Sequence, residues 1–122
     1  MLAGTIAVLG VTLGLAPVSA QAAVTCRAID FPVSQGTMHG KLCTPAGAST
    51  VHVLIPGGTY NSSYWDIGYS PSTRSYRMAM NKAGYATLAI DRLGTGQSSK
   101  PLSALVTASA QALAVHEVIT QI

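Results

Sequence analysis

Two stretches decide the fold of this protein, VHVLIPGG at residues 51–58 and YATLAIDRLGTG at residues 85–96. Each begins with a mostly apolar run and ends in a loop that contains glycines. Short apolar runs without alternation are typical of strands that are covered on both faces, as in parallel sheets. We therefore predict buried strands at residues 51–55 and 85–90, each followed by a glycine-bearing loop.

The segments around these strands predict helices. The first begins near Ser72 or Thr73, after an irregular loop at residues 61–75, and ends at Gly84, a residue suited to a left-handed cap. The second covers the alanine-rich residues 108–122, with Ser103 or Thr107 as candidate starting points. Strand and helix therefore alternate, which predicts a parallel sheet with right-handed crossovers.

A β-hairpin is predicted ahead of these elements. Residues 28–33 and 37–42 are extended candidates separated by Ser, Gln and Gly, which are turn residues. Pro32 restricts the first of these strands to an edge of the sheet, because proline has no backbone N–H to donate to a neighbouring strand.

The only two cysteines of the chain, Cys26 and Cys43, lie nearly equidistant from the hairpin turn. We expect a disulfide between them, because an exported chain meets an oxidising compartment. Unpaired buried thiols are the alternative if the chain is not exported.

The amino-terminal end predicts export. Residues 2–16 form an uncharged apolar run that Pro17 breaks, and small residues follow, which is typical of a signal peptide at residues 1–22 that leaves a secreted domain at residues 23–122. No Lys or Arg precedes the run, and the uncharged residues 1–26 are also long enough for a membrane anchor, which is the alternative.

Charge and motif spacing argue against several classes of partner. The chain has 7 Lys and Arg against 4 Asp and Glu, a net charge of +3, and the basic residues are scattered, so no nucleic-acid surface is predicted. The loop at residues 91–99 fails the spacing of phosphate-binding and dinucleotide-binding loops, and no His, Cys or carboxylate spacing fits a metal. We expect neither cofactor nor metal, and no membrane contact after signal cleavage.

In their order and spacing, the two glycine loops make residues 28–122 resemble the amino-terminal part of secreted bacterial α/β-hydrolases. The resemblance implies a partial α/β-hydrolase fold: a hairpin, then parallel strands with crossover helices, ending before the nucleophile elbow. The elbow pattern Gly-x-Ser-x-Gly does not occur in the chain. The implied function is that of an exported serine hydrolase for small ester or acyl substrates, of which this chain is an inactive fragment.

The resemblance also implies roles for single residues. In this family the strand equivalent to residues 51–55 usually ends in His-Gly-X, where the backbone N–H of X binds the oxyanion. By position Gly57 is the glycine and Gly58 is X, whereas Pro56 replaces the histidine. Gly58 is therefore the candidate catalytic donor, and Asp91 is expected to bond local backbone.

The remaining polar and aromatic side chains supply no triad. The three histidines and the loop serines are interpreted as structural or surface residues. Tyr60, Tyr64 and Trp65 are interpreted first as packing for the loop, with Tyr60 and Trp65 as candidate substrate contacts. The second hypothesis for the whole chain is a small secreted, non-catalytic binding module that uses the loop at residues 56–66. The oligomeric state stays open.

Overall fold

The structure is a computed structural model of the 122-residue chain, and it describes residues 10, 14–17 and 20–122. Most of the predicted signal peptide at residues 1–22 lies outside the described residues. Within the described ranges, no helix combines the length and the apolar character needed to cross a bilayer.

The elements follow the predicted order of hairpin, strand, helix, strand and helix. They are β1 (Val24–Val33), β2 (Gly36–Pro45), β3 (Val51–Leu54), α1 (Pro71–Arg74), α2 (Tyr76–Lys82), β4 (Ala86–Ile90) and α3 (Ala108–Ile119), with 3-10 turns at Ser62–Trp65 and Ser103–Leu105. The turn at Ser62–Trp65 lies inside the segment that the sequence predicts to be irregular, and the turn at Ser103–Leu105 begins at one of the two predicted helix starts.

The strands of the described residues form one sheet in the order β1-β2-β4-β3. β3 and β4 are parallel, with Val53 opposite Leu88, which confirms the central prediction from the sequence. β2 is antiparallel to both β1 and β4. β1 lies at an edge, as the proline at position 32 requires.

The two parallel strands differ in burial. β4 is buried along its whole length, as its apolar run predicts. The expectation that residues 51–55 are covered on both faces is wrong in the described structure, because β3 is an edge strand and Val51 is 41% exposed. Helix α3 packs over the hairpin and β4, and so it leaves much of β3 open.

Helix α3 covers the main apolar core. It buries Ala114 and Val118 in a cluster whose other members come from the sheet and the loop after β4: Phe31, Met38, Leu88, Ile90 and Leu93. Thr107 is the N-cap, since its side chain accepts a hydrogen bond from the amide of Ala110. The helix therefore starts at the later of the two predicted points.

The predicted helix from residue 72 to residue 84 is two helices, which is a correction. Ser75 has extended backbone between α1 and α2, and its side chain accepts a hydrogen bond from the amide of Met78 at 3.1 Å. A serine hydroxyl that caps one helix competes with continuation of the helix before it. Gly84 ends α2 with a φ of +92°, as predicted.

Cys26 and Cys43 are cross-strand partners in the hairpin and form the predicted disulfide. We expect the double substitution Cys26→Ala/Cys43→Ala to lower the free energy of unfolding by about 3 kcal/mol, because the bridge removes loop-closure entropy from the unfolded chain. Urea unfolding measures the difference. A reductant should lower the wild-type midpoint to that of the variant and leave the variant unchanged, and equal midpoints without reductant would contradict the prediction.

Candidate functional site

Two loops lie next to each other where β3 and β4 end. The loop at residues 55–61, here the β3 loop, and the loop at residues 91–99, here the β4 loop, both follow carboxyl ends of strands. Because β3 and β4 are parallel neighbours, these ends lie side by side. Ligands of open α/β sheets bind at such an edge.

Asp91 fastens the β4 loop to the 3-10 turn that follows the β3 loop. Its carboxylate accepts hydrogen bonds from the amide of Ser62 and from the amide of Gln97, both at 2.8 Å, and the residue is only 3% exposed. Burial raises the pKa of this carboxyl, but the hydrogen bonds from Gln97 and Ser62 outweigh burial and hold the pKa below its ordinary value. The prediction that Asp91 bonds local backbone is confirmed, and its reach extends just past the β3 loop.

The glycines of the β4 loop allow this contact. Gly96 has a φ of +48°, and a Cβ atom at this position would overlap the carboxylate of Asp91. Glycine is therefore required here both for its backbone conformation and for space.

Arg92 makes a second bridge between the loops. Its Nη2 atom donates to the carbonyl oxygens of Gly57 at 3.1 Å and of Gly58 at 2.6 Å. The main chain of Arg92 is itself held, since Thr95 donates to its carbonyl through the amide at 2.9 Å and through the hydroxyl at 2.8 Å.

Gly58 lies in a tight turn in which the amide of Tyr60 donates to the carbonyl of Gly57 at 3.2 Å. Neither Gly58 nor Thr59 has a positive φ, which is typical of a type I turn. Gly58 is exposed, and no hydrogen bond between described residues uses its amide. It borders a cavity of about 750 Å³ that Leu93 and Gln111 also line.

The loop aromatics pack on one another. Tyr64 lies 5.1 Å from both Tyr60 and Trp65 between ring centroids, and Trp65 lies 5.4 Å from Tyr76. These contacts agree with the interpretation of packing. Trp65 borders a different cavity, of about 480 Å³, from the one at Gly58, and substrate contact by Tyr60 and Trp65 stays a prediction.

Asp66 forms a polar cluster that the sequence did not predict. It pairs with Arg77 at 2.7 Å and Lys41 at 3.1 Å, and the hydroxyl of Ser75 donates to it at 2.8 Å. Burial raises the pKa of Asp66, but the hydrogen bonds from Arg77, Ser75 and Lys41 and the Arg77 charge lower it to about 2. Asp66 thereby fastens α2 to β2, and no spacing in the sequence signals this.

The histidines have structural surroundings. The ring of His52 stacks on Tyr85 at 4.7 Å, and Nδ1 of His39 lies 2.7 Å from the carboxylate of Asp30. His116 is exposed on α3. Across the described parts of the chain, no group of three or more His, Cys, Asp or Glu residues could hold a metal ion.

Comparison with known proteins supports the fold. No protein-family model and no curated protein sequence matches this chain. Among solved structures, the chain is similar to the haloalkane dehalogenase DatA from Agrobacterium tumefaciens, with 23% identity, a TM-score of 0.59, and coverage of 78% of this chain and 28% of that one. It is also similar to the epoxide hydrolase CorEH, with 20% identity, a TM-score of 0.58, and coverage of 80% and 30%.

A third similar structure is an epoxide hydrolase from an endophytic Streptomyces, with 23% identity, a TM-score of 0.55, and coverage of 80% of this chain and 26% of that one. The chain therefore spans less than a third of the length of these solved structures. Its mixed sheet with helices matches part of the α/β-hydrolase fold, and the predicted partial α/β-hydrolase fold is thereby confirmed.

Proposed function

We propose that this chain supplies the oxyanion-binding part of an exported serine hydrolase that cleaves carboxylic esters or related acyl compounds. One observation supports the proposal: Gly58 follows β3 beside the parallel strand β4, no hydrogen bond between described residues uses its amide, and the residue borders a cavity of about 750 Å³.

The chemistry follows from the position of this amide. When a nucleophile attacks an acyl carbon, the carbonyl oxygen gains negative charge, and a fixed N–H group stabilises that charge more than it stabilises the neutral carbonyl. Gly58 borders the cavity and has no side chain of its own to shield its amide. Its amide therefore supplies one donor, and a second donor comes from the residue after the nucleophile in proteins of this fold.

The nucleophile, the acid and the base are not among these residues. In α/β-hydrolases they follow in the order Ser, Asp or Glu, His, after the helix that corresponds to α3. We therefore propose that the longer protein is the enzyme and that residues 1–122 alone are inactive. Export is part of the proposal, and the disulfide between Cys26 and Cys43 supports it because such bridges persist in oxidising compartments.

The reaction class is tested with an ester, a haloalkane and an epoxide as substrates. The last two are included because the structurally similar proteins are named as a haloalkane dehalogenase and epoxide hydrolases. We expect the gene product extended past residue 122 through a nucleophile elbow to hydrolyse p-nitrophenyl butyrate and to be inactivated by phenylmethylsulfonyl fluoride. The 122-residue chain should show no activity, since removal of a triad leaves little catalysis.

Halide release or epoxide opening without ester hydrolysis would overturn the proposed reaction. If the 122-residue chain hydrolyses the ester and loses this activity when one of its own serines is substituted, the proposal that residues 1–122 alone are inactive is overturned. If the extended protein hydrolyses none of the three substrates, while residues 23–122 unfold cooperatively as a soluble monomer, the non-catalytic binding module becomes the better hypothesis.

A further inference from the structure

Arg92 contacts the β3 loop in an unusual way. A single guanidinium nitrogen, Nη2, serves two consecutive carbonyl groups, those of Gly57 and Gly58, at 3.1 and 2.6 Å. Among the described residues no other donor reaches the Gly58 carbonyl, and the Gly57 carbonyl has only the turn bond from Tyr60 besides. Arg92 is therefore the one described donor to the Gly58 carbonyl, and it shares the Gly57 carbonyl with the turn bond from Tyr60.

The Gly57 carbonyl belongs to the same peptide group as the Gly58 amide. The described chain contains no cis peptide bond, so this N–H points opposite to that C=O across a planar unit. A cation bound to the carbonyl fixes the plane and aims the N–H away from the guanidinium. It also polarises the peptide group, because linked hydrogen bonds strengthen one another.

We infer that Arg92 is a positioning residue for the Gly58 oxyanion donor. The inference rests on the function proposed above and names the side chain that sets the geometry of its donor. Arg92 binds the carbonyl side of the Gly57–Gly58 peptide, and we expect it to act on the oxyanion through this peptide group even though its side chain also borders the cavity at Gly58.

The anchor of Arg92 is rigid enough for this role. Its carbonyl accepts two hydrogen bonds from Thr95, and the neighbouring Asp91 carboxylate is held by two backbone amides. The side chain therefore starts from a fixed point on the β4 loop. A displacement of about 1 Å in a group that binds the transition state costs up to about 100-fold in rate, so loss of this anchor should be visible in turnover.

The test compares Arg92→Met with Arg92→Lys in the extended, ester-hydrolysing protein. Methionine keeps the apolar part of the side chain and removes the donors, and we expect kcat to fall about 10- to 100-fold with KM changed less than about twofold. Lysine can serve both carbonyls from one nitrogen and should retain kcat within about threefold. The control is Arg74→Met. Arg74 is exposed and stacks over Tyr69, so its substitution should leave kcat unchanged.

A second comparison separates positioning from general stabilisation. In a protein that carries Gly58→Pro, the donor is absent, and Arg92→Met should then change kcat less than about twofold. An equal fall of kcat in both backgrounds would overturn the inference, as would an Arg92→Met variant with wild-type kcat in the unmodified background. Thermal unfolding of each variant shows that it is folded at the assay temperature.

A readout that needs no activity distinguishes failure of the inference from failure of the proposed function. In ¹⁵N relaxation of the 122-residue chain, we expect the order parameter of the Gly58 amide to fall in Arg92→Met from about 0.85 to below about 0.6. An unchanged order parameter overturns the positioning role even if the extended protein is an esterase. A fallen order parameter with no hydrolysis by the extended protein keeps the positioning role and overturns the proposed function.

Discussion

Replacing Asp91 by alanine is expected to lower the free energy of unfolding by about 3–6 kcal/mol, because two hydrogen bonds to a charged group are lost, each worth about 1.5–3 kcal/mol. The amides of Ser62 and Gln97 lose their acceptor, and the β4 loop loses its link to the turn after the β3 loop. Urea unfolding at pH 7, followed by circular dichroism, measures the loss.

The stability that Asp91 contributes should depend on pH, and the direction follows from its lowered pKa. Since the folded pKa of Asp91 lies below the ordinary 3.8, its contribution is fully present above pH 3.8 and is lost as the pH falls through the folded value. The stability difference between the wild type and Asp91→Ala should therefore shrink as the pH falls below 3.8.

The matched control is Asp30→Ala. Asp30 is a more exposed aspartate, with a side chain 68% exposed, and its pair with His39 should contribute less than about 1 kcal/mol. If both alanine variants lose the same stability, or if the Asp91 variant keeps its deficit unchanged at low pH, then the proposed loop link is incorrect.

Replacing Gly58 by proline is expected to lower kcat about 100- to 1,000-fold in the extended protein, because one oxyanion donor is removed. Gly58 occupies the second position of a type I-like turn, where proline fits the backbone, so the substitution removes the N–H and little else. Steady-state hydrolysis of p-nitrophenyl butyrate gives kcat and KM separately.

Gly58→Ala is the control for this substitution. A Cβ atom at this position has its nearest neighbour at 3.9 Å, on Arg92, and the φ is not positive, so alanine keeps the N–H without a clash. We expect kcat within about threefold of wild type. Equal losses in the proline and alanine variants would point to a steric effect, and a proline variant with wild-type kcat would exclude the Gly58 amide as a donor.

Much of the fold was predictable because its signals are local. The apolar runs at residues 51–55 and 85–90 predicted strands, and the capping glycine at position 84 has the expected left-handed conformation. The hairpin and its disulfide followed from turn residues and cysteine spacing. One error was local, since the sequence did not show that Ser75 would cap α2 and so divide one predicted helix into two. The other error was tertiary, because the position of β3 at the edge of the sheet leaves Val51 exposed.

The contacts that the sequence did not predict join residues far apart in the chain. Asp66 lies 25 residues from its partner Lys41, and Arg92 lies 34 residues from Gly58. The buried Asn81 likewise donates to the carbonyl of Cys43 on β2. No periodicity or motif pairs such residues, because each partner is chosen by the packing of the strands between them.

The sequence by itself determined the kinds of elements, their order and the positions of the two glycine loops, because backbone propensity and hydrophobic pattern act over a few neighbouring residues. The tertiary structure alone decided that Asp91 reaches the turn after the β3 loop and that Arg92 reaches the β3 loop itself, while no described residue bonds the Gly58 amide, since only the parallel pairing of β3 and β4 brings these residues within hydrogen-bond distance.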